Sequence, residues 1–263
     1  MQDCAPMARD WISPKQQVRH LLARLGWGVV SLDKSDFDPE FLEIYRRCSP
    51  FTMTSIERMY ALYQATRYVV EREVPGDVVE CGVWRGGSSM LAAMTLARAG
   101  DEQRALHLFD TFEGMTRPTE EDGGEAFAEW SRLQDDDVNR WCYAALDEVE
   151  GNMRSTGIGS DRVRLIQGRV EDTIPEAAPT SIAILRLDTD WYQSTYHELR
   201  HLFPRLSPEG VLIIDDYGRW DGARQAVDQY FEETGERILL NRIDPTGRIG
   251  VRASAMSGSG ATH

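Results

Sequence analysis

Cysteine is scarce in this chain, and what there is of it is scattered. Cys4, Cys48, Cys81 and Cys142 include no C-x-x-C pair. A disulfide framework or a structural zinc site is therefore not expected, and reduced thiols in a cytoplasmic protein are the default. A basic excess is also missing: 43 acidic against 29 basic residues give a formal net charge of −14. Phosphate binding needs a basic face, so nucleic acid is a poor partner. No apolar run approaches the roughly 20 residues of a membrane span. The start, MQDCAPMARDW, has neither the basic nor the apolar region of a signal peptide. No membrane partner is expected. Internal repeats are absent, and the small polar stretch SAMSGSGATH reads as a flexible tail.

What is present suits one large globular body: 263 residues, 41% hydrophobic and 27% charged. Residues 15–27 place Val18, Leu21, Leu22 and Leu25 on a helical stripe behind Ser13-Pro14. PEFLEIYRRC (39–48) gives a second helix. A third runs through TSIERMYALYQATRYVVEREV, capped by Thr54 or Ser55, with Ile56, Met59, Leu62, Tyr63, Val69 and Val70 largely on one face. Residues 1–74 are thus expected to form an N-terminal helical extension, capping the rest or forming a homodimer or higher homo-oligomer. From Pro75 the pattern alternates: GDVVECGV, ALHLFDTF, RVRLIQG, IAILRLDTD and VLIIDDY read as strands separated by helices. RILLNRI and GRIGVRA, joined by DPT, read as a closing antiparallel hairpin. The predicted fold class is α/β, a doubly wound and mostly parallel sheet of seven strands over residues 75–253. A long acidic insertion at about 114–142 reads as a mobile lid, and 254–263 as the tail.

Two strands end in acids: Leu187 is followed by Asp188 and, two residues on, Asp190, and Ile214 by Asp215 and Asp216. Strand tips of a parallel sheet meet at a ligand crevice, and carboxylates that close need a cation or a shared proton. A hard ion such as Mg²⁺ is the simplest resolution. The first strand runs into Glu80-Cys81-Gly82-Val83-Trp84-Arg85-Gly86-Gly87-Ser88. This is neither G-x-G-x-x-G nor a phosphate loop, and an acid inside the loop suits an ammonium better than a phosphate. Asp110 closes the second strand, where this architecture places an acid for ribose hydroxyls. Together these features fit S-adenosylmethionine.

The segments VPGDVVECGVWRGGSS, LHLFDTFEGM, VRLIQGRVEDTIP and LRLDTDWYQSTYHELRHLFPRLSPEGVLIIDDYG, in that order, resemble the TylF (macrocin O-methyltransferase) family over residues 75–250. The resemblance implies a Rossmann-like class I methyltransferase fold. It also implies a metal-dependent enzyme that uses S-adenosylmethionine to methylate a deoxysugar hydroxyl of a glycosylated natural product in antibiotic biosynthesis. By carry-over, Asp188, Asp215 and Asp216 hold the metal, and Asp190 is the leading general base. Asp188 could exchange roles with it, and His197 is a rival. In an extended segment, residues i and i+2 share a face, which would put Asp188 and Asp190 in one crevice. For the cofactor, Glu80 and Gly82 are expected near the methionine part with Asp188, and Ser88 at the helix start. Asp110 is expected at the ribose, and Thr111 and Phe112 beside the adenosine. Gly168, Asp172 and Thr173 are expected at the adenine edge, unless the last two only cap a helix. Trp84 either walls the cleft or packs, and Trp191 and Tyr192 either face a sugar ring or support their loop. Arg186 reads as the partner of a core acid, and Asp135–Asp137 as a solvated charge run.

Two other functions compete. A catechol-type phenol or a free nucleotide sugar would replace the glycoside acceptor on the same fold. A nucleotide-binding oxidoreductase or a silent adenosyl-binding module would change the class, though the glycine spacing and the crevice acids speak against both.

Overall fold

The computed structural model describes residues 36–135 and 138–254. The helix expected over 15–27, most of the tail and two aspartates of the 135–137 run lie outside the described residues. The two other N-terminal helices form where their apolar spacing puts them, α1 at Pro39–Cys48 and α2 at Ile56–Glu71. Ser55 is the cap of α2, its hydroxyl accepting from the Arg58 N–H, and Ile56, Met59, Leu62, Tyr63 and Val69 turn inward.

The alternating part follows as β1 (Asp77–Cys81), α3 (Gly87–Arg98) and β2 (Leu106–Asp110). The insertion carries α4 (Gly123–Leu133) and a two-stranded ribbon, β3 (Gln134–Asp135) with β4 (Val138–Asn139). Then come α5 (Leu146–Arg154), β5 (Val163–Gln167), α6 (Val170–Thr173), β6 (Ile182–Leu187) and α7 (Tyr192–Leu202). β7 (Leu206–Ile214), α8 (Asp221–Thr234), β8 (Asn241–Arg242) and β9 (Arg248–Val251) close the fold. The sheet order is β5-β2-β1-β6-β7-β9-β8. The first five strands run parallel, while β9 and β8 return antiparallel. This is the expected seven-stranded, doubly wound sheet.

Two boundaries differ from the expectation. β7 starts at Leu206, taking in Pro208 and Gly210, and a register shift against β6 between Ile182 and Ile184 accommodates the extra length. β8 keeps only two residues of the expected 237–243, because Ile238 and Leu240 pack against the core without joining the ladder.

The period of two sorts each strand between faces. Val79, Cys81, Leu185, Leu187, Leu212 and Ile214 pack with Leu199 and Leu202 of α7 and with Val227 and Tyr230 of α8. The intervening residues, Glu80 and Arg186 among them, point to the opposite face, where α2 and α3 lie. Residues 39–74 are therefore a layer of the same compact body as the sheet.

Candidate active site

A cavity of about 280 Å³ opens at the carboxyl ends of β1, β2, β6 and β7. There the strand order leaves β1 for β6, which is where doubly wound sheets open a crevice. A smaller cavity of about 60 Å³ adjoins it, sharing Gly82, Asp110, Gly114, Met115 and Asp188. Gly82, Trp84, Ser88, Asp110, Asp188, Asp190, Asp215 and Asp216 all line the larger cavity; Thr111 and Gly168 line the smaller. Gly82 has φ +81°, and a Cβ there would run into the Asp188 carbonyl. Only glycine lets the β1 loop pass so close to the β6 tip.

Asp188 and Asp190 do reach one crevice, but not by sharing the face of an extended strand. Asp190 adopts a left-handed backbone (φ 66°) that turns it back toward the acids of β7. Burial, then the neighbouring Asp188, pushes the Asp190 carboxyl up to about 7. Burial also holds Asp188 and Asp216 well above the usual carboxylate range. Arg186 opposes the rise at Asp188, and Asp190 and Asp215 add to it at Asp216. Asp216 Oδ2 is buried and finds no donor. The carboxyl groups of Asp188 and Asp190 face it, and carboxylates so placed need a proton or a cation between them. Asp215 Oδ1 lies 2.9 Å from Arg186 Nη2 yet accepts no well-directed hydrogen bond. These oxygens are hard donors of the kind Mg²⁺ takes, although among the described residues no three acid, histidine or cysteine side chains are grouped as a metal site.

Part of the charge is balanced within the protein. Arg186 is ion-paired to Glu80, to Asp188 at 2.8 Å and to Asp215, and its Nη2 donates to Thr54 Oγ1 at 3.0 Å. Arg58 of α2 contacts Asp215 through Nη1, and its Nε donates to Asp244 Oδ2 at 2.9 Å. The expectation for Arg186 holds. Arg58 was not foreseen, since its partners lie 157 and 186 residues away and leave no local signal.

Aromatic rings wall the other side. Trp141, Trp191 and Trp220 meet edge to face with centroids 5.5–5.8 Å apart, and Trp141 and Trp220 line the cavity. Trp220 Nε1 donates to Asp190 Oδ1 at 3.1 Å. Trp191 is buried in this cluster and Tyr192 Oη donates to Gln229, so both support their loop.

Five expected site residues lie elsewhere. Glu80 is paired with Arg186 in the β1–β6 register, takes the Ser89 hydroxyl, and lines neither cavity. Strand alternation turns it to the face of α2 and α3, beside Ser89 and Arg186. Phe112 is buried and lines neither cavity, whereas Phe109 lines the smaller one. Asp172 is exposed and Thr173 Oγ1 donates to the Arg169 carbonyl. Because α6 begins at Val170, Arg169, Val170 and Glu171 face the cavity in their place. His197 Nε2 sits 3.0 Å from the Ile174 carbonyl and lines neither cavity, apart from the acid cluster. Asp110 is at the site, but its oxygens already accept from the N–H groups of Val83 (2.7 Å), Trp84 (3.0 Å) and Phe112 (2.8 Å). It fastens the glycine loop whatever else it binds.

Comparison with known proteins agrees with this architecture. The model of the macrocin-O-methyltransferase (TylF) family matches residues 46–249. An 8-demethyl-8-(2,3-dimethoxy-α-L-rhamnosyl)-tetracenomycin-C 4′-O-methyltransferase of Streptomyces olivaceus is 37% identical over 212 residues, 81% of this chain and 79% of that protein. A mycinamicin III 3″-O-methyltransferase of Micromonospora griseorubida is 33% identical over 203 residues, 74% and 76% of the two chains. The solved O-methyltransferase NovP superposes with a TM-score of 0.67 at 32% identity, over 78% of this chain and 83% of that one. With this sheet, this crevice and these relatives, the chain belongs to the TylF macrocin-O-methyltransferase family and is an O-methyltransferase built on the S-adenosylmethionine-dependent fold.

Proposed function

We propose that the protein moves the methyl group of S-adenosylmethionine to a sugar hydroxyl of an already glycosylated natural product, with Mg²⁺ held by Asp188, Asp215 and Asp216. The observation that carries this reading is a carboxyl cluster, Asp215 and Asp216 buried and Asp188 and Asp190 partly so, whose Asp216 Oδ2 has no donor, set between the glycine loop and a tryptophan wall. When bound, such an ion supplies a Lewis acid that makes an alcohol easier to deprotonate. The chain's own groups do the rest. Asp190 takes the hydroxyl proton, and its raised affinity for protons suits a base working near neutrality. Gly82, Asp110 and the smaller cavity hold the donor. Trp141 and Trp220 align the sugar, and alignment of sulfur, methyl and oxygen is worth up to roughly 7–11 kcal/mol.

The acceptor reading draws on relatives named for rhamnosyl-tetracenomycin and mycinamicin substrates. Charge favours a neutral glycoside over a nucleotide sugar. The cations lining the cavity are Arg58, Arg186 and Arg219, and each is engaged by an acid, Arg219 by Glu125 at 3.0 Å. Among the described residues, a diphosphate would find no cavity arginine without an acid partner.

Turnover should vanish with a chelator and return with Mg²⁺. Asp190→Asn and Asp216→Ala should be inactive yet bind S-adenosylhomocysteine normally in calorimetry. An acceptor screen should favour rhamnosyl or mycinosyl glycosides over TDP-rhamnose and caffeate. Full turnover in a chelator would remove the metal from this scheme.

A further inference from the structure

Asp190 keeps a left-handed backbone, uncommon for a non-glycine residue though aspartate takes it more readily than most, and its surroundings hold it there. Two tryptophans do so. Trp191 N donates to the Thr189 carbonyl at 2.8 Å, closing the turn around Asp190, and Trp220 Nε1 holds its carboxylate. Trp191 immediately precedes α7 and Trp220 immediately precedes α8, so the two helix starts carry the two clamps.

Asp122 lies between those helix starts, although it comes from the insertion that follows β2. It is only 4% exposed. Its Oδ1 accepts the Tyr192 N–H, the first of α7, at 2.7 Å. The same oxygen lies against Gly222 of α8, where any Cβ would collide with it. Its Oδ2 accepts the Thr119 N–H at 2.7 Å and the Thr119 hydroxyl at 3.0 Å. Around it, Trp191 Nε1 donates to the Thr116 carbonyl at 2.8 Å, and Ala126 and Met115 pack on Trp191, Trp220 and Ala223. A carboxylate that served only its own helix would touch one helix start. This one is seated on two, each bearing a residue that fixes Asp190.

We propose that Asp122 is a positioning residue for methyl transfer: it locks the insertion onto the α7 and α8 starts and so holds Asp190 at the acceptor hydroxyl. The inference rests on the reading of Asp190 as the base. The insertion is then a clamp on the reacting groups as well as a cover over them.

The test compares Asp122→Ala, Trp220→Phe and the double variant, using the best glycoside from the acceptor screen. Trp220→Phe keeps an aromatic ring and loses the N–H to Asp190. Each single change should lower kcat by roughly 10- to 100-fold, the scale of a small misplacement at the reacting centre. In Asp122→Ala, acceptor KM and S-adenosylhomocysteine affinity should stay within about threefold; in Trp220→Phe, whose ring also faces the sugar, S-adenosylhomocysteine affinity should stay so. The double variant should be no slower than the slower single one, because both act through Asp190. Amides of residues 190–192 should exchange faster in Asp122→Ala, with those of β6 unchanged. Additive losses, or a kcat loss matched by an equal loss of cofactor affinity, would overturn the proposal. Should Asp122→Ala fail to fold, Gly222→Ala presses on the same carboxylate. Its kcat should fall although glycine-to-alanine ordinarily favours a helix, and an unchanged kcat overturns the role. Full activity in Asp190→Asn would remove the base assignment itself. An inactive Asp190→Asn beside a fully active Asp122→Ala would remove only the part given to Asp122.

Discussion

Arg186 stands in β6 among isoleucine and leucine neighbours, and a guanidinium so deeply buried persists because Glu80, Asp188 and Asp215 surround it. Removing it leaves buried Glu80 without its cation, takes one of two arginines from Asp215 and unpairs the partly buried Asp188. Arg186→Met should therefore cost about 3–5 kcal/mol of unfolding free energy, measured by urea denaturation. Arg186→Lys should recover only part, since an ammonium cannot reach Glu80, Asp188, Asp215 and Thr54 in one planar fork. A loss below about 1 kcal/mol would mean that the acids are balanced by something else. His197 gives the contrasting case. Its ring nitrogen serves the Ile174 carbonyl on the far side of the sheet, so His197→Ala should keep kcat within twofold and lose about 1 kcal/mol of stability. A hundredfold fall in kcat would mark it as a base.

The closing hairpin is tied to the N-terminal helices through one turn. Asp244, between β8 and β9, accepts from the N–H groups of Gly247 (2.7 Å) and Thr246 (2.8 Å), from the Ser55 hydroxyl (2.6 Å) and from Arg58. Burial alone would raise its pKa, but these donors outweigh burial and hold the carboxyl down at about 2. Unfolded, it would titrate near roughly 3.9, so between those values the unfolded chain binds more protons. Its contribution to stability is therefore complete above pH ~4 and drains away as pH falls through about 2. The urea midpoints of wild type and Asp244→Ala should differ most at pH 5–7 and converge toward pH 2. A gap that widened on acidification would reverse the argument. Elements of this kind were legible to different degrees. Five parallel strands announced themselves because each is an apolar run stopped by an acid or glycine, and helices α1 and α2 because their stripes are clean. Asp188, Asp190, Asp215 and Asp216 were legible as strand-tip acids for the same reason. Arg58, Asp122 and Trp220 were not, because each is defined by a partner far along the chain. Glu80, two residues before Gly82, lines neither cavity, and its sequence position says nothing about which face of β1 it occupies. The register with Arg186 decides that.

At the scale of the molecule, the site is a place where the fold tolerates repulsion. Asp188, Asp190, Asp215 and Asp216 converge on one crevice, and two arginines engage only some of their oxygens. Burial and mutual repulsion keep Asp188 and Asp216 reluctant to ionise, which is a cost to the folded state above the usual carboxylate pKa. A protein whose catalytic groups are arranged for chemistry commonly gives up stability to hold them. Asp216 is the sharpest case, a buried carboxylate with an unserved oxygen. Asp216→Asn removes one charge from the cluster at almost constant shape, so the metal-free variant should be more stable than wild type at pH 7.5, by about 1 kcal/mol or more. The same change deletes a hard anionic donor. Wild-type thermal stability should climb with Mg²⁺ as ligand binding to the folded state requires, about 2.7 kcal/mol at a hundred times Kd. Asp216→Asn should show little of that climb. Thermal melts of both proteins across a Mg²⁺ series read the two effects together: the variant starts higher, and wild type overtakes it as the ion saturates. A variant that started lower and rose in parallel with wild type would show that Asp216 supports the fold and takes no part in holding the ion.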